Sequence, residues 1–407
     1  MSNKGLGMEM PSSEDVFLSS EIDIVTGVST PIESTSEGMI SSRFQQHSWI
    51  TDDGFVHVLV NSGNSLDLYS SKDNGRTWTS IRVASNTDSS ARSDGVLIDG
   101  RLTMAYSAQD DSIYVAQLAY SEVNSSWSRP IRAEVASDSN IKYSRASIAI
   151  ADDGRVVVVY SARDGQTGDE SLRASWSQDQ GRSWREFDGE LASPDGTSQM
   201  SGDVIATDDG FGLIYTEGGE TSIYEQLPGS QQDTINWIEY SFEGGIQSKQ
   251  LLLERGDAQN DPSGTHFSSA IDNDGDIHLA TNDGEGSVVY LRYDHITGKW
   301  TEPIRLATYD TRSAGGDYME LSISAENDII VAYNAKSGPK RYIEVSSSED
   351  GGLSWSIDSR LTQSISDNPG NIRMETPSYI GSTLPVFQQI EVADRTQSLV
   401  YYEVDIG

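Results

Sequence analysis

Short runs of apolar residues alternate along this chain with turns rich in Asp and Gly. One kind of turn reads Asp-Asp-Gly or a close variant, and it ends at Gly54, Gly100, Gly154, Gly210 and Gly275, with a looser copy at Asn327-Asp328. A run rich in β-branched and aromatic residues follows each turn, as in Phe55–Val60 and Val156–Tyr160. Gly, Asn and Asp supply the positive φ of tight hairpins, and β-branched residues favour strands. The pattern predicts an all-β chain built from repeated hairpins.

A second repeated turn has the pattern S-x-D-x-G-x-[ST]-W. Full copies occupy Ser71–Trp78, Ser177–Trp184 and Ser348–Trp355, and partial copies end at Trp127 and Trp300. We expect the Asp to accept backbone N–H bonds, the Gly to adopt the left-handed conformation, and the Trp to pack over the turn. The pattern therefore predicts structural, turn-forming roles for Asp73, Gly75, Trp78, Asp179, Gly181, Trp184, Asp350, Gly352 and Trp355.

The three full copies resemble Asp-boxes, also called bacterial neuraminidase repeats, of the sialidase-like β-propeller family. With the hairpin turns they recur about every 50 residues, a spacing typical of repeat folds, from roughly residue 41 to 405. The resemblance implies a propeller, and counting the units predicts seven blades, with six as the alternative. The strand-like segment 16–28 is predicted to supply the last blade with its outer strand and close the ring. Residues 16–407 would form this single domain, after a polar arm (1–15) that contacts a partner or a second subunit.

The charge balance changes the expected surroundings of the protein. The chain has 63 acidic against 28 basic residues, a net charge of −35, spread along its whole length. Such charge repels itself unless salt screens it, which favours a halophilic source and disfavours nucleic acid and anionic membranes as partners. The absence of Cys excludes disulfides and thiolate metal sites. The His residues show no metal-ligand spacing, and we expect no metal and no cofactor.

The N-terminal sequence bears on localisation. It has no apolar core of a signal peptide, and the chain has no long apolar run for membrane insertion. We therefore expect a location in the cytoplasm of a halophile or in a virus particle.

Candidate chemistry lies where the inner strands of the predicted blades begin, because these strands line the central channel. The aligned positions are Arg43, Arg92, Arg145, Met200, His266, Tyr318 and Arg373. Arg binds carboxylate and sulfate groups in a bidentate manner, so four of them in an acidic chain predict an anion-binding site. In the alternative interpretation, each Arg pairs with an Asp or Glu of the next blade.

Three functions remain open from the sequence. We favour a non-enzymatic module that binds an acidic glycan or a glycoprotein surface, including a receptor-binding virion component of a halophilic virus. The resemblance to sialidases implies an alternative with Tyr379 as nucleophile and Glu375 beside it. However, Arg43 lacks the family's following Ile-Pro, and the loop 61–65 lacks the family's acid. A polysaccharide lyase using His266, Tyr318 and Arg145 is the third possibility, since lyases pair a His or Tyr base with a group that neutralises the uronate.

Overall fold

The structure is a computed structural model that describes residues 17–18, 23–36, 38–40, 44–88, 93–187, 189–192, 200–207, 210–217, 234–254, 266–283, 287–308, 318–337, 340–362, 373–393 and 395–406. These residues form 33 strands and no helix. Accordingly, no helix in the described part of the chain is long and apolar enough to cross a membrane. The predicted polar arm at 1–15 lies outside the described residues, and the all-β prediction is confirmed.

Three N-terminal strands come first: β1 Phe17–Leu18, β2 Asp23–Thr26 and β3 Val28–Ser34. Sheet 1 contains β4 Ser48–Ile50, β5 Val56–Asn61, β6 Ser65–Ser71 and β7 Thr79–Ser85. Sheet 2 contains β8 Ser93–Ile98, β9 Arg101–Ser107, β10 Ile113–Ser121, β11 Ser126–Trp127 and β12 Ile131–Ala136. Sheet 3 contains β13 Ile141–Ile150, β14 Val156–Asp164, β15 Glu170–Ser177 and β16 Arg185–Glu186.

Sheet 4 contains β17 Met200–Thr207, β18 Gly210–Glu217, β19 Thr234–Ser241 and β20 Gly245–Glu254. Sheet 5 contains β21 Phe267–Ile271, β22 Ile277–Asn282, β23 Ser287–Asp294, β24 Lys299–Trp300 and β25 Ile304–Thr308. Sheet 6 is built on β26 Met319–Ser324, β27 Ile329–Ser337, β28 Lys340–Ser348 and β29 Trp355–Thr362. The C-terminal strands are β30 Met374–Glu375, β31 Tyr379–Ile380, β32 Thr383–Ala393 and β33 Thr396–Asp405, and sheet 7 has the order β3-β33-β32-β30.

The sheets are arranged as a β-propeller. Each has an inner strand (β4, β8, β13, β17, β21, β26 or β30), from which the next strands of the sheet pair outward in antiparallel fashion. In sheet 6 the short strand β31 also pairs in parallel with the inner strand β26. Buried apolar clusters lie between consecutive sheets, for example Trp49 with Met104 between sheets 1 and 2. The cluster that joins Val58 to Phe387 and Tyr401 packs sheet 1 against sheet 7 and so closes the ring. The number of blades stays a prediction at this stage.

The N-terminal strands differ from the prediction. The segment that joins sheet 7 as its outer strand is β3, which runs antiparallel to β33, whereas β1 and β2 pair in parallel with β29 of sheet 6. Every second side chain in the later part of β3 is buried, namely Thr30, Ile32 and Ser34. Thr30 Oγ1 donates to Leu399 O at 2.9 Å. The predicted segment 16–28 therefore ends where the pairing strand begins. Two of these three inward residues are polar, so hydrophobicity alone did not reveal the strand.

The S-x-D-x-G-x-[ST]-W turns share one set of hydrogen bonds. Asp73 accepts bonds from Thr77 N at 2.8 Å and Thr77 Oγ1 at 2.7 Å, and Trp78 Nε1 donates to Gly75 O at 2.9 Å. The same bonds recur around Asp179 and Asp350. The hydroxyl and backbone donors of Thr77 hold the pKa of Asp73 below its ordinary value. These turns thus tie the third strand of a sheet to the fourth.

Candidate functional site

The candidate site lies at the end of the channel where the inner strands begin, which we term the entrance face. His266 directly precedes β21, Tyr318 precedes β26, and Arg373 precedes β30. These strands belong to the three successive sheets 5, 6 and 7. Because the inner strands of a propeller converge on one axis, the residues that precede them meet around the channel.

His266, Tyr318 and Arg373 form what we call the entrance cluster. The rings of His266 and Tyr318 lie 4.1 Å apart between centroids, at 40°, and the guanidinium carbon of Arg373 lies 5.7 Å from the centre of the Tyr318 ring. His266 is 7% exposed and Tyr318 is 5% exposed, while Arg373 is half-buried. An imidazole, a phenol and a guanidinium so placed could exchange protons with a ligand while binding its anionic group.

The Arg residues predicted with this cluster are placed differently. Arg145 has a φ of +53° at the irregular register of β13. Its Nη1 donates to Glu170 Oε1 at 2.6 Å and to Met200 O at 3.2 Å. The ion pair lies within sheet 3, and the bond to Met200 links that sheet to sheet 4, so Arg145 has a structural role in this contact. Whether it also binds a ligand stays a prediction, and Arg43 and Arg92 lie outside the described residues.

Tyr379 lies at the opposite end of the inner strands. It pairs with Ile323 near the end of β26, whereas Tyr318 precedes the start of that strand. Five residues of strand separate these levels by roughly 16 Å at about 3.3 Å per residue. Tyr379 is 55% exposed, but its hydroxyl is removed from water. This burial, with the negative charges of Asp272 and Asp203, raises the pKa of Tyr379 to about 12, although a backbone hydrogen bond at Ile271 lowers it.

Glu375, the other predicted sialidase residue, is fully buried. Its Oε1 accepts the backbone N–H of His47 at 2.7 Å, and its Oε2 lies 3.3 Å from His47 Nδ1. Glu375 therefore contacts His47. Tyr379, at the other end of β26, lies apart from the entrance cluster. Tyr379 lies in β31, which pairs with β26 of sheet 6, whereas β30 with Glu375 pairs with β32 of sheet 7.

The segment Phe44–His47 lies across the channel, which no sequence signal indicated. Phe44 stacks on Phe267 of sheet 5 with centroids 5.1 Å apart, and Gln45 Nε2 donates to Ala146 O of sheet 3 at 2.5 Å. Gln46 N donates to Asp94 Oδ1 of sheet 2 at 2.9 Å. Phe44, Gln45 and His47 are all buried. The segment thus contacts sheets 2, 3 and 5 across the ring.

Two buried carboxyls, Asp94 and Asp203, share the hydroxyl of Ser147. Asp94 accepts N–H bonds from Gln46, Gly95 and Ile148 and lies 2.9 Å from Ser147 Oγ. Among the described residues, the side-chain hydrogen bonds of Asp203 are to hydroxyls: its Oδ1 lies 3.0 Å from Ser147 Oγ, and its Oδ2 accepts from Ser269. Burial raises the pKa of Asp94 too, but its three backbone N–H donors favour its ionised form, so we assign the shared proton to Asp203. Burial and then repulsion by Asp94 raise the pKa of Asp203 to about 8.

Glu320 and Glu375 form a second buried acid pair. Glu375 accepts from His47 N and from Gln46 Nε2, the latter at 3.2 Å. Burial, followed by repulsion from Glu375, raises the pKa of Glu320 well above its ordinary value, although Ser268 lowers it. Both acid pairs were missed by sequence reasoning, because only the ring brings these strands together.

Comparisons with solved structures show the fold. An ulvan lyase described as a new polysaccharide lyase family, PL25, has a TM-score of 0.54 at 12% identity, covering 95% of this chain and 95% of its own. The polysaccharide lyase Uly1 has a TM-score of 0.50 at 9% identity, covering 89% of this chain and 90% of its own. A Trypanosoma rangeli sialidase has a TM-score of 0.47 at 11% identity, covering 80% of this chain and 57% of its own. The sequence matches no protein-family model and no curated protein.

Proposed function

We propose that this protein acts on an acidic polysaccharide and cleaves it by β-elimination at a uronate. The observation that carries the proposal is the entrance cluster: His266 and Tyr318 in ring contact, with Arg373 beside Tyr318. A base, an acid and a fixed cation within one cluster are the groups that this reaction requires.

The proposed step assigns one role to each side chain. Arg373 pairs with the uronate carboxylate and stabilises the negative charge that develops when the C5 proton is removed. Neutral His266 accepts that proton, and the electrons of the C5–H bond form the C4=C5 double bond. The C4–O bond then breaks, and the leaving oxygen takes the phenolic proton of Tyr318. The products are an unsaturated uronate and a new chain end, with no added water.

Two further observations favour this function over the alternatives. The structural neighbours with TM-scores of 0.50 and 0.54 are polysaccharide lyases, which supports a glycan-related propeller. The sialidase alternative requires Tyr379, which lies at the far end of the inner strands from the entrance cluster. Binding of an acidic glycan without cleavage would use Arg373 in the same way and remains the second candidate. A virion receptor-binding role draws no support from the fold or from its neighbours.

The test is an elimination assay with purified protein at high salt on a panel of uronate-containing polysaccharides, ulvan included. Product formation is followed by the ultraviolet absorbance of the new double bond. We expect turnover that His266→Ala and Tyr318→Phe each abolish and Tyr379→Phe leaves unchanged. Tyr318→Phe keeps the aromatic ring, so its effect reports the lost proton rather than lost packing.

The other outcomes separate the candidate functions. Binding of these polysaccharides that Arg373→Ala weakens, without any unsaturated product, would show a recognition module. Release of the fluorophore from a fluorogenic sialoside, abolished by Tyr379→Phe, would show that the sialidase alternative was correct.

We also propose that each of the seven hydrogen-bonded sheets is one blade, and that the three Trp-containing turns are Asp-boxes. Apolar clusters between successive sheets, including one between sheets 7 and 1, support the blade count. The shared hydrogen bonds of Asp73, Asp179 and Asp350 support the second assignment.

A further inference from the structure

A separate cleft opens between sheets 1 and 2, on the face where the strand β9 ends and β10 begins. It has a volume of about 490 Å³, within the range typical of small-ligand sites. Tyr106 and Tyr114 line it with rings stacked 5.9 Å apart at 22°. Since β8 and β9 are antiparallel, the end of β9 lies beside the start of the inner strand β8, so the cleft opens on the entrance face.

The walls of the cleft are held in place by the backbone. Gln109 N donates to Asn86 O at 2.9 Å, Asp88 N donates to Ser107 O at 3.1 Å, and Thr87 forms a bridge with Ala108. These bonds fasten the loop after sheet 1 to the turn between β9 and β10 without using the side chains of Asn86 or Gln109. A ligand would therefore meet a preorganised cleft, which reduces the entropic cost of binding.

The polar groups of the cleft surround the aromatic pair. Tyr114 Oη lies 3.3 Å from both Asp110 Oδ2 and Glu134 Oε2. Arg132 donates to Val83 O through Nε and Nη2, and these bonds do not involve Nη1. Asp110, Glu134 and Arg132 are exposed, whereas Tyr106 is buried and Tyr114 is half-buried. Ring faces bordered by carboxylate, amide and guanidinium groups match the alternating C–H and hydroxyl surfaces of a sugar.

We infer that this cleft is a binding site for a neutral sugar unit of a glycan, distinct from the entrance cluster and independent of any catalysis there. The charge of the cleft selects the class of sugar. Asp110 and Glu134 outnumber Arg132, in a protein of net charge −35. A uronate or sulfated unit would be repelled here, whereas neutral hydroxyls hydrogen-bond to both carboxylates and cation.

The experiment measures binding of a panel of neutral methyl glycosides (of glucose, galactose, mannose, xylose, fucose and rhamnose) by saturation-transfer NMR and titration calorimetry. Methyl glucuronide serves as the acidic comparison. We expect at least one neutral glycoside to bind at millimolar concentration and more tightly than methyl glucuronide. Tyr114→Ala should weaken that binding roughly tenfold or more, as loss of an aromatic anchor does.

Matched variants keep the test independent of folding. Tyr114→Phe keeps the ring and should retain most of the affinity. Gln109→Ala removes a side chain while its backbone bond to Asn86 remains, so we expect weaker binding at an unchanged thermal midpoint. His266→Ala changes the entrance cluster and should leave this binding unchanged, which separates failure of the proposed lyase from failure of this site.

Three results would each overturn the inference. They are no binding by any neutral glycoside of the panel, tighter binding of methyl glucuronide, and affinity that neither Tyr114→Ala nor Gln109→Ala alters.

Discussion

Replacement of Asp203 by Asn should make the protein more stable at neutral and alkaline pH. On our assignment Asp203 holds the proton on the oxygen that lies 3.0 Å from Ser147 Oγ, while its other oxygen accepts from Ser269. The amide of Asn reproduces this pattern, with its NH₂ group donating to Ser147 and its carbonyl accepting from Ser269. The variant therefore keeps every hydrogen bond and removes the group that ionises.

The magnitude follows from proton linkage. Burial, followed by repulsion from Asp94, raises the pKa of Asp203 from 3.8 to about 8, so unfolding releases a proton between these pH values. The free energy of unfolding of the native protein then falls as pH rises through this window, by at most about 1.4 kcal/mol per pH unit. The accumulated cost reaches on the order of 5 kcal/mol by pH 8. Asp203→Asn should match the native protein near pH 4 and exceed its stability increasingly up to pH 8.

Urea denaturation at fixed salt, repeated across this pH range, measures the effect. Asp94→Asn is the matched control, because it also removes one buried carboxyl. The oxygens of Asp94 accept three backbone N–H bonds, so an amide NH₂ there faces a donor and should destabilise the protein at every pH. An unchanged pH dependence in Asp203→Asn, or a variant less stable than the native protein at pH 8, would refute the assignment of the proton.

Three further predictions concern stability. Gly75→Ala should cost roughly 3 kcal/mol, because the new Cβ would meet the Tyr401 ring at 2.4 Å and the φ is +75°. Gly54→Ala, with a φ of +79° and nothing within 4 Å, should cost only about 1 kcal/mol in the same urea titration. Glu170→Ala leaves Arg145 buried without its carboxylate and should cost about 3 kcal/mol, an effect that an unchanged urea midpoint would disprove. The thermal midpoint should rise between low salt and molar KCl, because salt screens the net charge of −35, whereas an unaltered midpoint would contradict the halophilic interpretation.

Much of the local structure could be predicted from the sequence, because it depends on neighbouring residues. The hairpin turns at Gly54 and Gly154 have the positive φ expected of them. Asp179 accepts the bonds of its own turn because donor and acceptor lie within four residues. By contrast, β3 escaped detection, since its inward side chains are mostly polar and its partner β33 lies at the other end of the chain.

The candidate site was only partly accessible from the sequence. Aligning the starts of the inner strands selected His266, Tyr318 and Arg373, because a repeat fold places equivalent positions around one axis. The alignment could not show that Arg145 pairs with Glu170. Arg145 lies on β13 and Glu170 on β15, and their contact depends on how both strands pair with β14 between them.

What the amino-acid sequence by itself determined is the repeated all-β architecture, because strand and turn preferences act over a few residues. Only the tertiary structure placed Tyr379 away from the entrance cluster, laid Phe44–His47 across the channel, and paired Asp94 with Asp203. Each of these features joins residues that lie far apart in sequence. Their proximity depends on ring closure, and the resulting burial, rather than residue type, determines which carboxyl keeps its proton.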